Sequence, residues 1–245
     1  MSSAAAQPQS APPVATGADQ VAFLRMVGHE LRTPLNAVIG FSEIVGSEPY
    51  GPLGAPQYKE YVEMIRQSGH KLLKLVNQVV DLAKLDAGAM DITPEAEPLD
   101  YALDDAVASL RADIEARKVT IAVEDEGKLP SVTADSRGLR AVLTNLLHNA
   151  VCHSPEGGTV EVRAAKDGAT VHLEIRDHGD GAAADDIPRL MRPFEQGDNL
   201  QARAAQGSGL GLPITELYCR AMGGELALTS APGQGMTAAV RLPAA

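Results

Sequence analysis

The chain has no tryptophan, and aromatic residues make up only 3% of its 245 positions. A base-stacking platform for single-stranded nucleic acid needs several such rings, so that class of function is excluded. Cysteine occurs twice, at Cys152 and Cys219. Two are too few for a disulfide scaffold and suit a reducing compartment, so a cytoplasmic location is expected. Cations are also scarce: 21 Lys and Arg against 32 Asp and Glu leave a formal net charge of -11. That balance argues against general binding to nucleic acid or to anionic membranes. No stretch reaches the roughly 20 apolar residues that span a bilayer, so no direct membrane insertion is expected. Nor does the start have the basic and apolar parts of a signal peptide. Residues 1–18 are rich in Ala, Pro, Gln and Ser and are expected to form a disordered lead-in.

What remains is 44% hydrophobic, enough for a normal core. From about Asp19 to Gly46 the pattern is helical: Leu24, Leu31, Val38 and Val45 recur every seven residues, with Gly28 and Leu35 in a second seam. The segment 46–56 holds three Pro and three Gly and breaks the helix. A second helical run follows from about Gln57 to Asp86, with Tyr58, Ile65, Leu72 and Val79 in one row and Tyr61, Leu75 and Leu82 in the other. Sevenfold spacing on two helices joined by a loop predicts an antiparallel hairpin. One hairpin buries one stripe per helix, and two copies would close a four-helix bundle, so a homodimer is expected. Residues 87–98 read as a linker. The pattern then changes to α/β. Helices are expected at 99–117, 136–151 and 210–222. Strands are expected at 119–124, 159–166, 170–177, 225–230 and 236–242. Residues 182–206 form a long irregular connection of the kind that serves as a lid.

Four polar clusters carry chemistry. In the first, His29 stands beside Glu30, one turn before Pro34, in the string HELRTPLN. An imidazole is a good nucleophile near neutral pH, and a neighbouring carboxylate can hold one ring nitrogen while the other attacks. Pro34 removes the backbone bond normally made to the carbonyl of Glu30. In the second cluster, Asn145 and Asn149 are four apart and share one helix face. An amide carbonyl is a hard oxygen ligand suited to Mg²⁺. In the third, Asp177 ends a strand and is followed by Gly179 and Gly181, so a flat base could approach the backbone while the carboxylate accepts from an exocyclic amine. In the fourth, Gly207, Gly209 and Gly211, with Leu210 among them, precede a helix, where backbone amides favour phosphate. Each cluster alone has a plainer reading: a surface histidine, two solvated amides, an acidic turn, a glycine-rich loop.

Together and in this order the clusters resemble the catalytic core of the sensor histidine kinases of bacterial two-component systems. HELRTPLN is similar to that family's phosphoacceptor box, and Arg192-Pro193-Phe194-Glu195 to its phenylalanine motif. The likeness runs from about residue 19 to 245. It implies an α+β chain of two domains. A dimerising and phosphotransfer hairpin (19–86) would be joined by the linker to an ATP-binding domain (99–245), an α/β sandwich of the GHKL ATPase type with a mixed sheet packed on three helices. It implies ATP and Mg²⁺ as cofactors, with Mg²⁺ on Asn149 and Asn145 at the phosphate end. Asp177 would read adenine, Phe194 would anchor the lid, and His29 would accept the phosphoryl group with Glu30 as orienting base. It implies a response-regulator receiver domain as partner, and Thr33 would position a water in dephosphorylating that regulator.

The pattern departs from the family at one point. The usual basic residue three positions after the magnesium asparagine is here Cys152, followed by His153. His153 or Arg203 is expected to supply part of the missing charge. No sensor-like segment precedes the hairpin, so input is expected from a separate partner or from a longer protein. A non-catalytic adaptor that relays phosphoryl groups through His29, with a weakened ATP-binding domain, is the alternative reading.

Overall fold

The computed structural model describes residues 17–49, 51–195 and 208–245; the side chains of residues 17–27 and of Glu30 lie outside the described part. Two 31-residue helices open the chain, α1 (Gly17–Ser47) and α2 (Pro56–Asp86). Pro56 sits in the first turn of α2, where its missing N–H costs nothing. The turn before it is held by Glu48, which accepts from the Leu53 amide (2.8 Å) and pairs with Lys59 (2.8 Å).

The helices pack along a narrow seam of Leu35 and Ile39 on α1 and Val76 and Val80 on α2, all buried. Two glycines let them approach. A Cβ on Gly28 would fall 2.6 Å from a methyl of Val80, and one on Gly69 would fall 2.7 Å from Ile39. Arg32 ties the same faces by donating to Asn77 at 2.6 Å. The sevenfold row Leu31, Val38, Val45 stays outside this seam, as do Tyr58, Ile65 and Leu72, each at least 43% exposed. None of the described helices is long and apolar enough to cross a membrane.

The second half is a mixed five-stranded sheet covered on one face by helices. Its strands are β2 (Thr120–Val123), β4 (Thr159–Asp167), β5 (Thr170–Arg176), β6 (Glu225–Ser230) and β7 (Met236–Pro243), in the order β2-β4-β5-β7-β6. Only the β2–β4 pair is parallel. Val160, Val162, Leu173, Ile175, Val240 and Leu242 alternate onto the covered face and are buried. Against them lie α3 (Leu99–Ser109), α5 (Ser136–His153) and α7 (Gly211–Ala221). Asp135 caps α5 by accepting from the Gly138 amide at 2.8 Å.

Several elements differ from the sequence expectation. The helix expected over 99–117 is two helices, because Leu110 breaks the backbone (φ −104°, ψ 7°) before α4 (Arg111–Arg117). The linker read over 87–98 ends in a strand, β1 (Glu95–Pro98), which pairs antiparallel with β3 (Ser131–Ala134) as a separate two-stranded sheet. The connection 182–206 contains a 3₁₀ turn at Ala184–Asp186 and a one-turn helix, α6 (Ile187–Leu190). The two halves are not merely tethered. Leu85 of α2 is buried in the sheet domain's core, and Leu75, Val79 and Leu82 pack against it.

Candidate active site

A cleft of about 820 Å³ lies between α5, the start of α7, the end of β5 and one side of α2. Asp177 closes its floor. It follows β5 directly and is 3% exposed. One carboxylate oxygen accepts from the amides of Gly179 (2.9 Å) and Met236 (3.2 Å). Burial pushes this carboxyl above its ordinary range, and the two amide bonds oppose the shift. A fixed, desolvated carboxylate of this kind is an acceptor aimed at a donor entering the cleft. Gly179 is required by close approach: a Cβ there would lie 2.0 Å from the carbonyl oxygen of His153.

Helix α5 supplies the long wall with Asn145, His148, Asn149, Cys152 and His153. Asn145 donates to the carbonyl of Gly211 (3.3 Å) and to the Thr215 hydroxyl (3.4 Å), so it ties α5 to the start of α7. His148 and Cys152 are one turn apart, with sulfur 3.6 Å from a ring nitrogen. Burial lowers the His148 imidazole and raises the Cys152 thiol, so both are held toward their neutral forms.

The glycine-rich segment forms the far end. Leu210 is fully buried and anchors the start of α7. Gly209 has φ +69°, and a Cβ on it would lie 2.9 Å from the backbone of Phe194 and Glu195. The Phe194 amide donates to the Gly209 carbonyl at 3.0 Å. The Phe194 ring itself is 60% exposed. The described contact of Phe194 with Gly209 is therefore a backbone bond, and its ring is largely in solvent. Gly207 and Arg203 lie outside the described residues.

The cleft thus brings together Asn145, Asn149, His153, Asp177, Gly181, Phe194, Gly209 and Gly211. Gly179 and Leu210 support it from behind. The histidine box is elsewhere. His29 is exposed on α1, next to Gly28, whose backbone is buried against α2. Thr33, also exposed, donates its hydroxyl to the His29 carbonyl at 3.3 Å. Helix α1 runs on through Pro34. The Glu30 side chain lies outside the described part.

Sequence reasoning missed the α2 side of the cleft. Lys71, Lys74 and Gln78 line it, and Gln78 accepts from the Ser208 hydroxyl at 2.8 Å. In the sequence these residues look like the solvated face of a helix, and no local signal marks them. His148 could have been found, because it adjoins Asn149 on a helix already assigned to the site.

Residues 19–88 match the "His Kinase A (phospho-acceptor) domain" family, and residues 134–245 match the "Histidine kinase-, DNA gyrase B-, and HSP90-like ATPase" family. The chain is 41% identical over 225 residues to the "Non-motile and phage-resistance protein" of Caulobacter vibrioides, covering 90% of this chain and 27% of that one. It is 37% identical over 230 residues to the "Cell-division control histidine kinase PdhS" of Brucella suis, covering 90% and 22%. The chain therefore spans about a quarter of the length of these curated relatives. Among solved structures it is similar to full-length ShkA in complex with AMPPNP, with a TM-score of 0.76 and 32% identity over 91% of this chain and 46% of that one. The Acinetobacter baumannii histidine kinase AdeS shares the fold, with a TM-score of 0.61 and 18% identity over 88% of this chain and 98% of that one. An ATPase-type cleft with a buried aspartate, preceded by a helical hairpin that displays His29, stands in a chain matched along both halves. The chain belongs to the sensor histidine kinases.

Proposed function

We propose that the chain is an ATP-dependent protein-histidine kinase that phosphorylates His29 and passes the phosphoryl group to an aspartate of a response regulator. The observation that carries this reading is the pairing, in one chain, of an exposed His29 with a cleft floored by the buried Asp177. Asp177 accepts from the adenine amino group, and the amides around Gly209 and Gly211 meet the phosphates. Asn149 offers a carbonyl oxygen to Mg²⁺, and Asn145 fixes the phosphate end by holding α7 to α5. When bound, Mg²⁺ neutralises phosphate charge. A ring nitrogen of His29 bonds to the γ-phosphorus as the bond from that phosphorus to the bridging oxygen breaks. ADP leaves with the electron pair, and the proton on the imidazole is shared with Glu30. Transition states of this kind are loose, so the protein works mainly by positioning and electrostatics.

The chain acts as a homodimer. The uncovered residues Leu31, Val38, Val45 and Ile65 form the surface a second hairpin would bury. The receiver domain of the regulator docks on the hairpin near His29, and Thr33 serves the reverse, dephosphorylating reaction. The kinase works in the cytoplasm and takes its input from a separate partner or from further sequence.

The test is transfer of label from [γ-³²P]ATP with Mg²⁺ to the wild type and to His29→Ala. Acid-labile, alkali-stable label that is absent from the variant is expected. No label on a folded, dimeric wild type would overturn the kinase reading in favour of the adaptor.

A further inference from the structure

A nucleotide triphosphate is a polyanion, and the walls that the sheet domain gives this cleft have little to offer it. Among the described residues, the charged side chains that domain contributes to the lining are Asp177, Asp180 and Glu195, all carboxylates. Cys152 brings no cation, burial holds His148 toward its neutral form, and among the described residues His153 is the one other imidazole in the lining. The only Lys or Arg side chains lining the cleft among the described residues come from the other domain: Lys71 and Lys74, one turn apart on α2. Lys74 lines the same cleft as His148, Asn149 and Cys152, and its positive charge is felt at His148 and Cys152. Helix α2 is held there by Ser208 bonding to Gln78 and by the packing of Leu75, Val79 and Leu82 on the sheet domain's core.

We propose that Lys71 and Lys74 of α2 are phosphate-binding residues of the nucleotide site, so that a bound triphosphate bridges the hairpin and the ATP-binding domain. The proposal rests on the nucleotide reading above and deepens it. The phosphate-binding cations are carried by the helix partnered with the one that displays His29. Nucleotide binding and docking of the two domains then become linked equilibria: each strengthens the other by the same factor. Adenine and ribose make no use of the lysines, so the linkage depends on the phosphates alone.

The experiment is calorimetric titration of the full chain with Mg²⁺-AMPPNP and, by competition, with adenosine. Replacing both residues, Lys71→Ala with Lys74→Ala, is expected to weaken AMPPNP about tenfold or more, as loss of charge-assisted contacts does, and to leave adenosine unchanged. Adding Cys152→Lys to that double variant is expected to restore most of the lost affinity, because it returns a cation to the same stretch of wall. AMPPNP should also slow amide hydrogen exchange in α2 around residues 71–78 in the wild type, whereas adenosine should not. Unchanged AMPPNP affinity in the double variant would overturn the proposal. An equal loss for both ligands would also overturn it, because that marks a damaged cleft wall and not a missing charge. The kinase reading fails separately, through an unlabelled His29 in a wild type whose AMPPNP affinity still depends on the lysines.

Discussion

Leu143, in the middle of α5, is sealed from solvent, whereas Val38, in the second half of α1, is 46% exposed. The contrast extends to both regions. In the sheet domain the apolar faces of α3, α5 and α7 close over the strands, and residue after residue falls below 5% exposure. In the hairpin one face of each helix meets the other, and α2 also packs Leu75, Val79 and Leu82 on the sheet domain. Leu35, Ile39, Val76 and Val80 meet inside, while Leu31, Val38, Val45 and Ile65 face outward. A unit that leaves such a row in water is incomplete as a folding unit. The sheet domain closes over its own core, and the hairpin leaves an apolar row that the proposed second copy would cover.

The largest effects should come from attacking the two regions in the same way. Leu143→Ala removes a fully buried side chain and should destabilise the sheet domain by about 3 kcal/mol, read as a lower urea midpoint that does not vary with protein concentration. Val38→Glu with Ile65→Glu puts charge on the outward row of the hairpin. It should leave that midpoint in place and raise the dimer dissociation constant by about 100-fold or more, since an unpaired charge is not tolerated in an apolar interface. Sedimentation equilibrium reads it directly. A variant that remains dimeric would show that the outward row is not where the second hairpin packs, and the contrast between the regions would lose its meaning.

The inner row allows a finer version of the comparison within one helix. Gly28 and Gly40 are both on α1, but a Cβ on Gly28 meets Val80 at 2.6 Å, whereas one on Gly40 meets nothing within 4 Å. Gly28→Val should therefore force the helices apart at a cost of about 1–3 kcal/mol. Gly40→Ala should raise the hairpin's melting temperature by relieving a helix-interior glycine, a gain of up to about 1 kcal/mol. Thermal melts followed by circular dichroism at 222 nm would separate the two. Equal losses at both positions would mean that a second chain crowds Gly40.

The same two regions differ in how much of them could be read from the residues. The hairpin's helices are legible because 31-residue periodic runs leave little ambiguity, but the seam is not: Val76 and Val80, which meet α1, fall in neither of the α2 rows read from the sequence. In the sheet domain, β4, β5, β6 and β7 alternate clearly and were readable. The pair β1–β3 was not, because Glu95–Pro98 is short, acidic and mostly exposed, and its partner lies more than 30 residues away. The break at Leu110 was hidden because the residue is buried and apolar, as a continuing helix would have it. In the site, the residues grouped by motif sit around one cleft because α5, the end of β5 and the start of α7 are adjacent in the fold. Lys71 and Lys74 were invisible for the opposite reason: their place in the cleft depends on how one domain lies against the other, and no motif encodes that.

Asp177 offers a last test, small in stability and large in binding. Its carboxyl is buried, and burial raises its pKa in the folded state above the value in the unfolded chain. Between those two values the folded protein holds a proton that the unfolded chain has released. Stability therefore falls as the pH rises through that window, and above it the full cost of the buried charge is present. Asp177→Asn keeps an oxygen for the amides of Gly179 and Met236 but never ionises. The variant without nucleotide should therefore melt above the wild type at pH 8, and the gap should close as the pH drops below the ordinary carboxylate range. Its affinity for AMPPNP should collapse, because an amide presents the wrong partner to an exocyclic amine. A gap of the same size at every pH would show that the charge of Asp177 is not what the fold tolerates for the sake of its ligand. The sheet domain would then be a closed core throughout, and the one place where it gives up stability for binding would have to be sought elsewhere along the cleft.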